Sequence, residues 1–99
     1  MSYKISIIGM GYVGCGNGLM LSRNHNVLMV DIDQKKVNAF NNKQLPIFDK
    51  FAQKYFEDED LKIQATSDLI NSIQNANFIL LCLPTNFDEK TGKYDTNSI

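Results

Sequence analysis

Several kinds of chemistry are ruled out by what this sequence has little of. It has one histidine, His25, and two cysteines, Cys15 and Cys82, with no metal-ligand spacing and no disulfide framework. The cysteines fall inside predicted regular structure and read as small buried hydrophobes. No serine sits in a nucleophile elbow, and no G-x-x-x-x-G-K-[ST] phosphate loop occurs. The net charge is −1, so no basic excess suits a nucleic-acid backbone. The longest apolar run, Phe78 to Leu83, is too short to span a bilayer. Met1-Ser2-Tyr3-Lys4 leads into an apolar run broken by glycines, without a signal peptide's continuous core or cleavage site. A cytoplasmic location, with neither membrane nor nucleic acid as partner, is the expectation. Repeats and low-complexity segments are absent.

What the sequence does contain is an alternation of short apolar runs and amphipathic stretches. Lys4 to Ile8 reads as a buried strand. A helix is expected from about Tyr12 to Asn24, with Val13, Asn17, Met20 and Leu21 facing the sheet. His25 falls in the polar turn that follows and reads as a surface residue. Val27 to Ile32 reads as a second strand, and Asp33 as the cap of a helix to about Asn42 with Val37 and Phe40 inside. Pro46 interrupts any helix there, and a short helix is expected over Lys50 to Phe56. The acidic run Glu57 to Asp60 reads as a solvated surface. Lys62 to Thr66 reads as a third strand, and Ser67-Asp68 as the start of a helix burying Leu69, Ile70, Ile73 and Ala76. Phe78 to Leu83, apolar throughout, suits a parallel strand covered on both faces. Thr85 to Ile99 reads as polar loop, with Asp95-Thr96 opening a further helix. The expected fold class is α/β, a Rossmann-like doubly wound parallel sheet in the order 3-2-1-4. A six-stranded fold of that type needs two more strands. Residues 1–99 therefore read as an incomplete N-terminal domain, truncated from a longer protein.

Gly9-Met10-Gly11-Tyr12-Val13-Gly14 fits G-x-G-x-x-G, and it follows a strand and opens a helix. Gly9 permits the tight turn, Gly11 lets backbone approach a pyrophosphate, and Gly14 lets helix pack on strand. The free N–H groups of the first helical turn then face an anion. Asp31 lies about 20 residues beyond Gly11, at the end of the second strand. A carboxylate there accepts hydrogen bonds from both hydroxyls of a ribose and repels a 2′-phosphate. No arginine follows nearby, so NAD is favoured over NADP, with Lys35 and Lys36 the nearest cations. A methyl-donor-binding fold also places an acid after its second strand, but its glycine turn usually differs in spacing.

Ile8 to Gly14 and Val30-Asp31-Ile32-Asp33 resemble the opening of the UDP-glucose/GDP-mannose dehydrogenase family. Leu83-Pro84-Thr85-Asn86-Phe87 resembles the family's P-T-N-[YF] loop, and Tyr94-Asp95-Thr96 resembles its F-D-T segment. Asn41-Asn42 and Pro46-Ile47 match part of its I-N-x-G-x-S-P-I region. The sequence departs from the family at Lys43 and Leu45, where glycine and serine are usual, and at Cys15 and Gly16. The resemblance implies that Gly9, Met10, Gly11, Tyr12, Val13 and Gly14 line the pyrophosphate and adenosine side. It implies that Asp31 and Lys36 approach the adenosine ribose and that Thr85 contacts the cofactor.

The family's reaction is a four-electron oxidation of a nucleotide sugar's C6 hydroxyl to a carboxylate with two NAD. UDP-glucose is the expected sugar, and a homodimer the expected assembly. The resemblance places the catalytic residues downstream, and Cys15 and Cys82 match no catalytic motif. No catalytic and no metal-binding residue is therefore expected in this chain. Two other readings stand beside this one. One is a non-enzymatic NAD-binding module. The other is a different NAD-dependent dehydrogenase of the β-hydroxyacid type, against which Pro84-Thr85-Asn86 argues.

Overall fold

A computed structural model describes residues 2–82 and the strand backbones of 86–88 and 93–95. The elements run β1 Lys4–Ile8, α1 Tyr12–Leu21, β2 Asn26–Val30, α2 Gln34–Asn41, α3 Lys50–Asp58, β3 Ile63–Thr66, α4 Leu69–Gln74 and β4 Phe78–Leu81, followed by β5 Asn86–Asp88 and β6 Lys93–Asp95. The first four strands form one sheet in the order β3-β2-β1-β4, parallel at every pairing, as expected. β5 and β6 pair antiparallel, with Phe87 opposite Tyr94. The sequence reading assigned this stretch to loop and put Asp95 at a helix start. Strands of three residues are too short for an alternation to register in the sequence.

Alternation along the strands decides which side is the core. Ile5 and Ile7 of β1, Val27 and Met29 of β2 and Ala65 of β3 are buried in one cluster with Cys15 and Leu19 of α1 and Val37 and Phe40 of α2. The Phe40 ring packs on Phe56 of α3 with centroids 4.7 Å apart, and Lys43 Nζ lies 4.8 Å from the Phe56 centroid. Lys43 also carries a left-handed φ of 66°, which turns the chain out of α2.

Three expectations about burial are corrected. Helix α1 does not face the sheet with Val13 and Met20, which are 67% and 62% exposed. Its inner face is Gly14, Cys15, Gly18 and Leu19. A Cβ at Gly18 would lie 2.6 Å from Met29 Sδ and 3.2 Å from Ile63 Cδ1, so a larger residue would require those two side-chain ends to move aside. Small residues make the contact here, and a search for large apolar residues at helical spacing passes over them. Helix α4 leaves Leu69, Ile70 and Ile73 exposed and buries Ser72 instead. Ser6 Oγ donates to Ser72 O at 2.8 Å, and Ser72 Oγ donates to Leu69 O at 2.6 Å, so the buried hydroxyls are satisfied. Strand β4 is not covered on both faces: Phe78 and Leu81 are 52% and 68% exposed. It forms the sheet's outer edge, and the described residues supply no element to cover it.

Candidate functional site

The C-terminal ends of the strands bring the sequence-predicted residues together. Beyond β1, Gly9 N donates to Val30 O at 2.9 Å, and Cys82 N donates to Ile8 O at 2.8 Å. Beyond β2, Asp31 N donates to Thr66 O at 3.2 Å. These bonds carry the sheet ladder one step past its strands and set Gly9, Asp31 and Cys82 side by side. In an open α/β sheet of this order, this is the edge where ligands bind.

The glycine turn is built by two steric requirements. Gly9 has φ 111°, a conformation L side chains rarely adopt. A Cβ on Gly14 would lie 2.0 Å from Gly9 O, so α1 rests directly on the turn's backbone. At Gly11 the situation is opposite, since a Cβ there would meet no atom of the described residues within 4 Å. Gly11 is also the N-cap of α1, and among the described residues no side chain caps that end. The contrast with the other helices is direct. Asp33 accepts from Lys35 N, Asp49 from Ala52 N and Asp68 from Asn71 N. Each of those ends has its own carboxylate, whereas the first-turn amides of α1 have no partner within the helix. The first intrahelical bond is Cys15 N to Gly11 O, at 2.9 Å. An anion at this end would meet free N–H groups and the positive end of the helix dipole, a setting worth roughly 0.3–1 kcal/mol per charge from the dipole alone.

Asp31 is half-buried beside this turn. Its Oδ1 accepts from Asp33 N at 2.9 Å and its Oδ2 from Met10 N at 3.4 Å. The two backbone donors fix the carboxylate plane, and each oxygen keeps acceptor capacity for a further donor. Beneath the turn, burial pushes the Cys15 thiol up to about 11, against the opposing charge of Lys36 and with a smaller contribution from Asp31. Both charges therefore act on the same buried sulfur. At neutral pH Cys15 is therefore an uncharged thiol in the core.

His25 lies at the opposite end of the sheet, where its Nδ1 accepts from Tyr3 N at 3.1 Å. That is the structural turn residue expected. No cluster of metal-ligating side chains occurs among the described residues, and none of their helices is long and apolar enough to cross a membrane. Thr85 lies outside the described residues. Sequence reasoning missed Tyr12 Oη, which meets the Phe48 backbone across a loop whose only signal was Pro46.

A parallel 3-2-1-4 sheet, an uncapped glycine turn after β1 and an oriented carboxylate after β2 define a dinucleotide-binding domain of the dehydrogenase type. Residues 3–99 match the UDP-glucose/GDP-mannose dehydrogenase family, NAD binding domain, and the chain belongs to that family. It is 40% identical over 98 residues to the UDP-glucose 6-dehydrogenase of Campylobacter jejuni, covering 97% of this chain and 25% of that protein. It is 32% identical over 96 residues to the UDP-glucose 6-dehydrogenase of Streptococcus pneumoniae, covering 97% of this chain and 24% of that protein. A solved ternary complex of GDP-mannose dehydrogenase from Pseudomonas aeruginosa superimposes with a TM-score of 0.79 at 26% identity, over 92% of this chain and 21% of that one. The chain thus spans about a quarter of the length of these curated relatives.

Proposed function

We propose that this chain is the cofactor-binding front of a nucleotide-sugar 6-dehydrogenase that oxidises the C6 hydroxyl of a UDP-sugar, UDP-glucose above all, to the uronate. The observation that carries the reading is the uncapped first turn of α1 set beside the fixed carboxylate of Asp31. NAD, once bound, supplies the hydride acceptor, and each sugar consumes two. The residues present fit its two polar parts. The amides after Gly11 would hold the pyrophosphate, with Gly9, Met10, Tyr12, Val13 and Gly14 shaping that wall. Asp31 would accept from the ribose hydroxyls, and Lys36 and Thr85 would complete the contacts. No group in this chain moves a proton in the reaction. The remaining strands, the sugar pocket and the catalytic residues belong, on this reading, to sequence downstream, and the intact protein works as a homodimer in the cytoplasm.

Incubating the intact protein with NAD and a panel of UDP-glucose, UDP-N-acetyl sugars and GDP-mannose tests the activity. About two NADH per sugar with one substrate is expected from the four-electron stoichiometry. NAD binding without turnover on any of them would remove the sugar-oxidising reading and leave a binding module or another dehydrogenase.

Asp31→Ala tests the cofactor assignment separately. Hydrogen bonds to a charged group contribute about 1.5–3 kcal/mol, which corresponds to a loss of roughly tenfold to a hundredfold in NAD affinity. The preference for NAD over NADP should narrow as well, because the repulsion of a 2′-phosphate is removed. Titration calorimetry with both cofactors reads the two effects. Unchanged affinity for both would mean that Asp31 does not hold the ribose.

A further inference from the structure

Tyr12 takes part in two structures at once. Its backbone is the first helical residue of α1, so its N–H is one of the free donors of that turn. Its side chain reaches a loop that is 36 residues away in sequence. There the hydroxyl donates to Phe48 O at 3.4 Å and accepts from Phe48 N at 3.3 Å.

The loop's two ends are anchored independently of Tyr12. Leu45 is buried in the core, and its N–H donates to Gln53 Oε1 at 2.8 Å. Gln53 Nε2 in turn donates to Lys43 O at 2.6 Å. At the other end, Asp49 caps α3 through Ala52 N at 3.0 Å. Between these anchors the Phe48 side chain is 99% exposed, so the tip gains nothing from burying it. Ile47 beside it packs partly buried against the core, and the hydroxyl contact joins the Phe48 backbone to the first residue of α1.

We propose that Tyr12 is a positioning residue that couples the 45–49 loop to the pyrophosphate-binding turn, so that NAD binding and loop order reinforce each other. The proposal rests on the NAD-binding reading of this turn. An anion on the first-turn amides fixes the Tyr12 backbone, and the fixed backbone holds its hydroxyl against the Phe48 peptide. Because the coupling is a free energy between two sites, it acts equally in reverse, and an ordered loop favours the bound cofactor.

Hydrogen exchange at the Phe48 amide in the intact protein, with and without saturating NAD, tests this directly. The wild type is expected to show exchange slowed several-fold by NAD. Tyr12→Phe keeps the half-exposed ring and removes only the hydroxyl. It is expected to fold normally, to lose the NAD-dependent slowing at Phe48, and to bind NAD more weakly by the factor by which NAD slows Phe48 exchange in the wild type, because the two effects are one coupling free energy. Phe48→Ala keeps both backbone groups and should retain the slowing. Phe48 exchange indifferent to NAD in the wild type, or slowing that survives in Tyr12→Phe, overturns the coupling while leaving the cofactor site standing. A wild type that binds no NAD removes the site and the coupling together.

Discussion

Gly11→Val is expected to abolish NAD binding while leaving the domain folded. The residue caps α1 with φ −92° and ψ −164°, an extended conformation that a β-branched residue readily adopts. A Cβ there meets no atom of the described residues within 4 Å, so none of them obstructs a side chain. The open space is, however, the approach to the free amides of the first turn. Valine methyls would stand between those donors and a pyrophosphate. Losing several charge-assisted hydrogen bonds at about 1.5–3 kcal/mol each puts the affinity loss above roughly a hundredfold. Calorimetry reads the binding, and a thermal melt within a few degrees of wild type confirms the fold. A folded variant that binds NAD undiminished would show that the cofactor does not approach this backbone.

Gly14→Ala should do the reverse, failing first as a folded protein. Its Cβ would sit 2.0 Å from Gly9 O and 3.2 Å from Gly9 C. Those are backbone atoms of a turn already held at φ 111°, so neither can yield as a side-chain end would. Relief requires α1 to lift from β1, opening the contacts of Cys15 and Leu19 with the sheet. Overpacking typically costs about 1–3 kcal/mol, and a backbone obstacle places this case at about 3 kcal/mol or beyond. That is a large share of the roughly 5–15 kcal/mol that stabilises a domain. Gly16→Ala serves as the control on the same helix. Its Cβ meets open space, and replacing an exposed mid-helix glycine should add about 0.5–1 kcal/mol. Urea unfolding of both variants checks the pair. Equal stability of Gly14→Ala and wild type would mean that the helix does not rest on the turn.

The strand order, the glycine turn and Asp31 were legible in the sequence because each is written locally. A run of β-branched residues, a fixed spacing and an acid at a strand end need no knowledge of distant contacts. The inner face of α1 was not legible by the same route. Gly14 and Gly18 become contact residues only when Gly9, Met29 and Ile63 are in place against them. The apolar face of α4 misled for a related reason: Leu69, Ile70 and Ile73 have helical spacing, but the described residues offer no surface to bury them. The link between Tyr12 and Phe48 joins a side chain to a backbone peptide and leaves no trace in either residue's type. At the candidate site, therefore, the glycine turn and the acid beyond β2 could be read from residue pattern, and the Tyr12–Phe48 contact beside them could not.

The sheet also has two unlike borders. On the β3 side, Asn41 Nδ2 donates to Ala65 O at 2.9 Å, and Ala65 N donates to Asn41 Oδ1 at 2.8 Å. The side-chain amide thus takes both positions that a neighbouring peptide group would occupy there, and it is delivered by the last residue of α2. On the β4 side the outermost strand presents Phe78, Ile79 and Leu81 with large exposed areas. The two borders therefore differ in how they meet solvent among the described residues: a side chain of the same domain occupies the peptide edge at Ala65, whereas β4 leaves broad apolar surface uncovered.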